Sequence, residues 1–190
     1  TATASGGSAT QNGFGSQTLT IRSRGVEGTV DLGANGLSAK EIATRINAVQ
    51  NNTGGVTARG ETYAYMALGT GTQTTTVDFT LNGVSIQAYS SNAGSDVDGL
   101  VTAINDASGK TGVVAKKVDL PGSSGTYRVE LFAADGSDIK INNASVSTQQ
   151  TGGGSWNTSN ILTVQGAYDS NGTITAVGTG GATLGGTGQA

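Results

Sequence analysis

A pattern used twice does most to limit how this chain can fold. Residues 36–58 read GLSAKEIATRINAVQNNTGGVTA, and residues 94–115 read GSDVDGLVTAINDASGKTGVVA. Each copy runs through a turn, an amphipathic helix containing Ile-Asn, a polar turn with Thr-Gly, and the start of a β-branched strand. The copies align at an offset of about 58 residues, with one extra glycine in the first, a period at which self-similarity marks a structural unit. The 190 residues suffice for one or two domains with a real core. A repeated packing unit with no catalytic side chains near it reads as a building block.

Local signals define the parts of each copy. In the first, Ser38 opens a helix and Glu41 stands at the capping-box position. Ala39, Ile42, Ala43, Ile46 and Val49 share one face, with Arg45 and Asn47 mostly outside it. The run Asn51-Asn52-Thr53-Gly54-Gly55 stops the helix. In the second copy Ser95 is the expected cap, with Asp98 at the box position. Val97, Leu100, Val101 and Ile104 form the buried stripe, and Gly109-Lys110-Thr111-Gly112 ends the helix.

Strands are expected at 18–21 and 29–32, joined by a turn at 25–28, then at 56–59 and 61–68. Asn82-Gly83, the strongest hairpin signal, joins 77–81 to 84–89. Further strands are expected at 113–118, 127–132, 139–142, 161–164 and 173–177, with turns at 133–138 and 169–172 and a loop at 151–154. The fold class is therefore α+β and β-rich, with two repeated units of small antiparallel sheet plus one amphipathic helix and additional C-terminal strands. The expected divisions are a flexible arm at 1–16, a first unit at 17–70, a second at 71–150, returning strands at 151–180 and a flexible arm at 181–190. The low-complexity ends and the lack of an initiating Met or signal peptide suggest an interior piece of a longer protein.

Composition narrows the chemistry. Only 12% of residues are charged, 35% are hydrophobic, and 32 are Gly against the single Pro121, a mixture suited to short strands and tight turns. The net charge of -3, without a basic stripe, argues against nucleic acid or anionic membrane as partners. Absence of Cys rules out disulfides and thiolate-held zinc. Absence of His removes the Ser-His triad and the commonest metal ligand. No apolar run approaches the roughly 20 residues of a membrane helix.

The remaining candidates favour structural readings. Ser108-Gly109-Lys110-Thr111 resembles the tail of a phosphate loop, but the first required glycine would fall at Ile104 and the run ends a helix instead of starting one. Asp96, Asp98 and Gly99, like Asp135 and Asp138, lack the alternating ligands and terminal Glu of a calcium loop. Glu27, Glu41, Glu61 and Glu130 are scattered, with no spacing of a glycosidase pair. Trp156 is alone in a Gly-Ser loop, and Tyr63, Tyr65, Tyr89 and Tyr127 read as half-buried strand residues. Asn51, Asn143, Asn157 and Asn171 begin chance-level glycosylation sequons. No catalytic, cofactor-binding or metal-binding residue is assigned, and no cofactor is expected.

The two Ile-Asn helices (Ile46-Asn47 and Ile104-Asn105), each followed by Thr-Gly and a Val-rich strand, together with TLNGVSI and AADGSDIKI, resemble the IN motif of bacterial flagellins and some hook-associated proteins. The resemblance covers about residues 17–142 of the chain. It implies a non-enzymatic, extracellular structural role: the variable, outward-facing central region of a flagellin on the filament used for swimming. Neighbouring subunits would meet through terminal regions absent here, so the fragment by itself is expected to be monomeric, with antibodies or surface glycans as further possible partners. The alternatives are a hook-associated or filament-cap protein and a surface adhesin module.

Overall fold

The computed structural model describes residues 2–4, 15–33, 36–69, 74–90, 94–120, 122–149, 162–170, 173–176 and 182–184. In chain order the elements are β1 (Ala2–Ala4), β2 (Thr18–Ser23), β3 (Val26–Asp31), α1 (Ala39–Ala48), a 3₁₀ turn (Gln50–Asn52), β4 (Thr62–Leu68), β5 (Thr74–Leu81), β6 (Val84–Ser90), α2 (Asp98–Asp106), α3 (Ser108–Thr111), β7 (Val114–Asp119), β8 (Tyr127–Ala133), β9 (Ile139–Gln149), β10 (Leu162–Ser170), β11 (Thr173–Ala176) and β12 (Ala182–Leu184). They form three sheets: a four-stranded sheet in the order β1-β9-β5-β6, a six-stranded sheet in the order β11-β10-β4-β8-β7 with β12 also on β10, and the hairpin β2-β3. The fold is β-rich α+β with repeated sheet-and-helix units, as the sequence predicts.

Two cores hold these layers. The larger takes Ala64, Met66 and Leu68 from β4, Val77, Phe79 and Leu81 from β5, Val129 and Leu131 from β8, and Ile139 and Ile141 from β9. Both large sheets thus share one interior, and α2 adds Leu100 and Ile104 to it. The alternation of apolar and polar residues in β5 and β8 turns one face inward, which is what a sheet covered on that side requires. The smaller core is Val30, Leu32 and Leu37, with Ile21, Ile42, Ile46 and Val49 packed on it, and joins α1 to the β2-β3 hairpin. β4, which follows the first helix in sequence, pairs between β10 and β8.

The duplication reaches further back than the helices. At the same offset β2 falls on β5 and β3 on β6. Arg24 (φ 51°) and Gly25 (φ 77°) fall on Asn82 (φ 47°) and Gly83 (φ 85°), so both hairpins use a two-residue turn with both central residues at positive φ. The first turn is therefore tighter than the expected 25–28. Gly28 lies within β3, where a Cβ would stand 2.3 Å from the Asn52 carbonyl oxygen.

Four other expectations change. Residues 56–59 belong to no strand, and β4 begins only at Thr62. Ser95 does not cap α2. The residue preceding the helix is Val97, and Asp96, the counterpart of Ser38, accepts from the Asp98 N–H at 3.3 Å. The strand expected at 139–142 continues to Gln149, because a bulge between Asp78 and Thr80, with Asn143 at φ 52°, lets it stay paired with β5. The strand expected at 161–164 runs to Ser170 and pairs with β11. Trp156, Asn157, Asn171, Pro121 and the loop expected at 151–154 lie outside the described residues.

Candidate functional site

The Ile-Asn pair has one physical role in both copies. Isoleucine faces a core: Ile104 is completely buried in the larger one, and Ile46 packs on the smaller. Asparagine turns its carboxamide onto the backbone of the segment that follows. The Asn47 Nδ2 donates to the Ala58 carbonyl at 2.9 Å, and the Ala58 N–H donates to Asn47 Oδ1 at 2.7 Å. The Asn105 Nδ2 donates to the Ala115 carbonyl at 3.0 Å, and the Ala115 N–H donates to Asn105 Oδ1 at 2.7 Å. A carboxamide carries one acceptor and two donors in the same plane as a peptide group does, so it can stand in for a neighbouring strand. The clamp spans eleven residues in the first copy and ten in the second, which accounts for the extra glycine.

In the second copy the clamp closes a sheet edge. β7 is the last strand of its sheet, and the Ala115 groups that face away from β8 are the ones Asn105 takes. An open edge invites unwanted pairing, and covering it removes that hazard. α2 touches β6 as well as β7, so the helix spans the margins of both large sheets. At Gly99 it comes so near β6 that a Cβ would lie 2.4 Å from the Tyr89 carbonyl oxygen. Gly99→Ala should push the helix off β6 and lower stability by about 1–3 kcal/mol, as overpacking does. A urea titration of the variant tests this.

The turns between helix and strand also match. Thr53 and Thr111 are buried and donate through Oγ1 to the Gln50 and Ala107 carbonyls, each at 3.2 Å. Gly54 (φ 68°) and Gly112 (φ 71°) supply the left-handed residue after each. Gly112 caps α3, so the Gly-Lys-Thr run ends the helical segment. Asn82 does more than shape its turn: its Nδ2 donates to the Thr111 carbonyl at 2.8 Å, and its Oδ1 accepts from the Lys140 N–H at 2.8 Å.

The first helix begins with a complete capping box. The Glu41 N–H donates to Ser38 Oγ at 3.2 Å, and the Glu41 carboxylate accepts from the Ser38 N–H at 2.8 Å. Those hydrogen bonds from Ser38 hold the Glu41 carboxyl below its ordinary range. The same end of α1 docks on the β8-β9 turn. The Lys40 N–H donates to the Gly136 carbonyl at 2.9 Å, and Lys40 Nζ reaches Asp135 Oδ2 at 2.8 Å. Gly60 and Gly136 let the backbones meet, since a Cβ on Gly60 would lie 2.5 Å from the Ala39 carbonyl oxygen and one on Gly136 would lie 2.7 Å from the Gly60 carbonyl carbon.

The Lys40 ammonium, followed by the Ser137 N–H and hydroxyl, holds the Asp135 carboxyl well below its ordinary value of 3.8. A depressed carboxyl stabilises the fold above its unfolded value and loses that contribution as pH falls through the folded one. The stability difference between the parent and Asp135→Asn should therefore be present above pH 3.8 and shrink steadily below it. Urea midpoints across that range would show it.

The acidic residues are spent on separate tasks. Glu27 pairs with Arg22, Glu61 with Arg59 at 3.1 Å, and Asp98 with Lys117 at 2.9 Å. Glu130 lies beside Tyr65, whose phenol is raised chiefly by burial. Among the described residues no group of three acidic side chains could hold a metal ion, and no helix is long and apolar enough to cross a membrane. A shallow groove of about 460 Å³ is lined by Ser38, Lys40, Glu41, Asn82, Ser137, Asp138 and Lys140. Its polar groups are largely those of the capping box, the Asn82 contacts and the docking turn.

This geometry defines a structural module organised by paired asparagine clamps. Residues 78–135 match the flagellin hook IN motif family and form such a motif domain, running from β5 to the turn after β8. A structural, non-catalytic module of flagellar axial proteins thus occupies the middle of the chain. Among solved structures, the crystal structure of the D2–D3 domains of the flagellar cap protein FliD from Escherichia coli is similar at 18% identity, covering 64% of this chain and 69% of that one with a TM-score of 0.29. No curated protein matches the chain.

Proposed function

We propose that this chain is an outward-facing structural domain of a hook-associated or filament-cap protein, carried outside the cell on the bacterial flagellum. The observation that carries the reading is the hook IN motif at 78–135, whose Asn105 is bound into the fold as a clamp. The first copy, outside the matched residues, repeats that clamp through Asn47. The chain acts passively: its units fold on their own cores and present a surface of low charge. Subunit contacts that build the axial structure are made by other parts of the protein. The second reading is the outer region of a flagellin proper, which the same pair of motifs fits.

Gold-labelled antibody raised against this chain separates the two on cells that make it. Label at the filament tip or the hook junction is the expected result. Label along the whole filament identifies a flagellin, and label on the cell body with bare flagella would contradict both readings in favour of an adhesin.

A further inference from the structure

The two copies differ in what lies beside their hairpins. In the second, β9 pairs antiparallel along the outer side of β5, with Val77 opposite Val146 and Leu81 opposite Ile141. In the first, the aligned strand β2 pairs among the described residues only with β3. Ser23 and Val26 flank a two-residue turn and so bond each other, which turns the N–H and C=O groups of Thr18, Thr20 and Arg22 away from β3. Their counterparts Thr76, Asp78 and Thr80 are residues that pair with β9. The missing neighbour also shows in the side chains: Val77 is 1% exposed, whereas the aligned Leu19 is 39% exposed.

We propose that the β2 edge is a self-association surface whose occupant is β2 of a second copy, running antiparallel and centred on Thr20. In that register Thr20 meets its own equivalent, Leu19 lies opposite Ile21 of the partner subunit, and Thr18 lies opposite Arg22 of the partner subunit. The apolar pair falls on the α1 side of the sheet, extending the smaller core across the two-fold axis, and the threonines fall on the other side. No like charges oppose one another, and Arg22 is already neutralised by Glu27. The strand also lacks two of the usual guards of an open edge: it holds no proline, and its ladder with β3 is unbroken by a bulge. A single short edge makes a weak contact, so the chain is monomeric when dilute and pairs as its concentration rises.

Sedimentation over a series reaching about 1 mM, the range where contacts of about 4 kcal/mol become populated, tests this together with amide hydrogen exchange. The expected result is a reversible monomer–dimer equilibrium, with exchange at Thr18, Thr20 and Arg22 slowing as concentration rises. Thr20→Pro removes an outward donor without touching the ladder to β3 and should abolish the dimer, while Tyr89→Ser, at an exposed aromatic on β6, should leave it intact. A monomer throughout the series, a dimer that survives Thr20→Pro, or slow exchange of these three amides at the lowest concentration, which would mean the chain already covers its own edge, would each overturn the proposal.

Discussion

Ile104→Asp is expected to unfold the larger core, and Ile46→Asp to release only the smaller one. Ile104 has no exposed surface and packs in the core that both large sheets share. Removing such an aliphatic side chain costs about 2–5 kcal/mol, and the carboxylate left in its place has no partner there. Together these rival the roughly 5–15 kcal/mol that holds a typical domain together. Ile46 is only partly buried against a handful of neighbours, so its carboxylate can reach water and the damage stays near α1 and the hairpin. Circular dichroism during heating should show a broad loss of structure at lower temperature for Ile104→Asp. For Ile46→Asp, hydrogen exchange should quicken in β2, β3 and α1 and stay slow in β4 and β8. If both variants melt like the parent, the helices do not face cores and the account of the fold is wrong.

Asn105→Ala is expected to have the next largest effect. It strands the N–H and C=O of Ala115, each of which costs about 1–3 kcal/mol when left buried without a partner. Both groups are part-buried, which places the combined loss at roughly 2–4 kcal/mol. Asn105→Asp keeps an acceptor for the Ala115 N–H but sets a second carboxylate oxygen against the Ala115 carbonyl, so it should also be less stable than the parent. The same change at Asn47 should cost a similar amount, because its two bonds to Ala58 are part-buried in the same way. Equal midpoints for the parent and Asn105→Ala in denaturant would show that the clamp is incidental.

Much of the local structure is legible in the chain because it is set by nearest neighbours. Ser38 and Glu41 form the box their spacing announces, and Asn82-Gly83 makes the turn its residues favour. What escapes a sequence reading depends on distant partners. Ser95 looks like a cap, but the helix it precedes is placed by the fit of Gly99 against β6 and by the Asp96 turn. The first hairpin turn hides because Arg24-Gly25 is a weaker signal than Asn82-Gly83, although its backbone is the same. The length of β9 depends on a bulge opposite β5, a register invisible from β9 alone. The purpose of the asparagine after each isoleucine could have been suspected from one trace. Both copies keep an alanine in the segment after the Thr-Gly turn, and the count between Asn and Ala differs only by the added glycine. Nothing in the residues shows that β4 leaves the first unit to pair inside the larger sheet, since strand partners far apart in sequence are chosen by the assembled core.

The central claim is that the chain repeats one clamped unit, with each asparagine securing its own copy. Amide exchange at Ala58 and Ala115, followed in the parent and in Asn47→Ala and Asn105→Ala, tests it most directly. Both amides should be protected in the parent, Ala58 alone should lose protection in Asn47→Ala, and Ala115 should lose it in Asn105→Ala while Ala58 keeps most of its own. Two amides that exchange freely in the parent, or that keep their protection when their own asparagine is gone, would contradict the account.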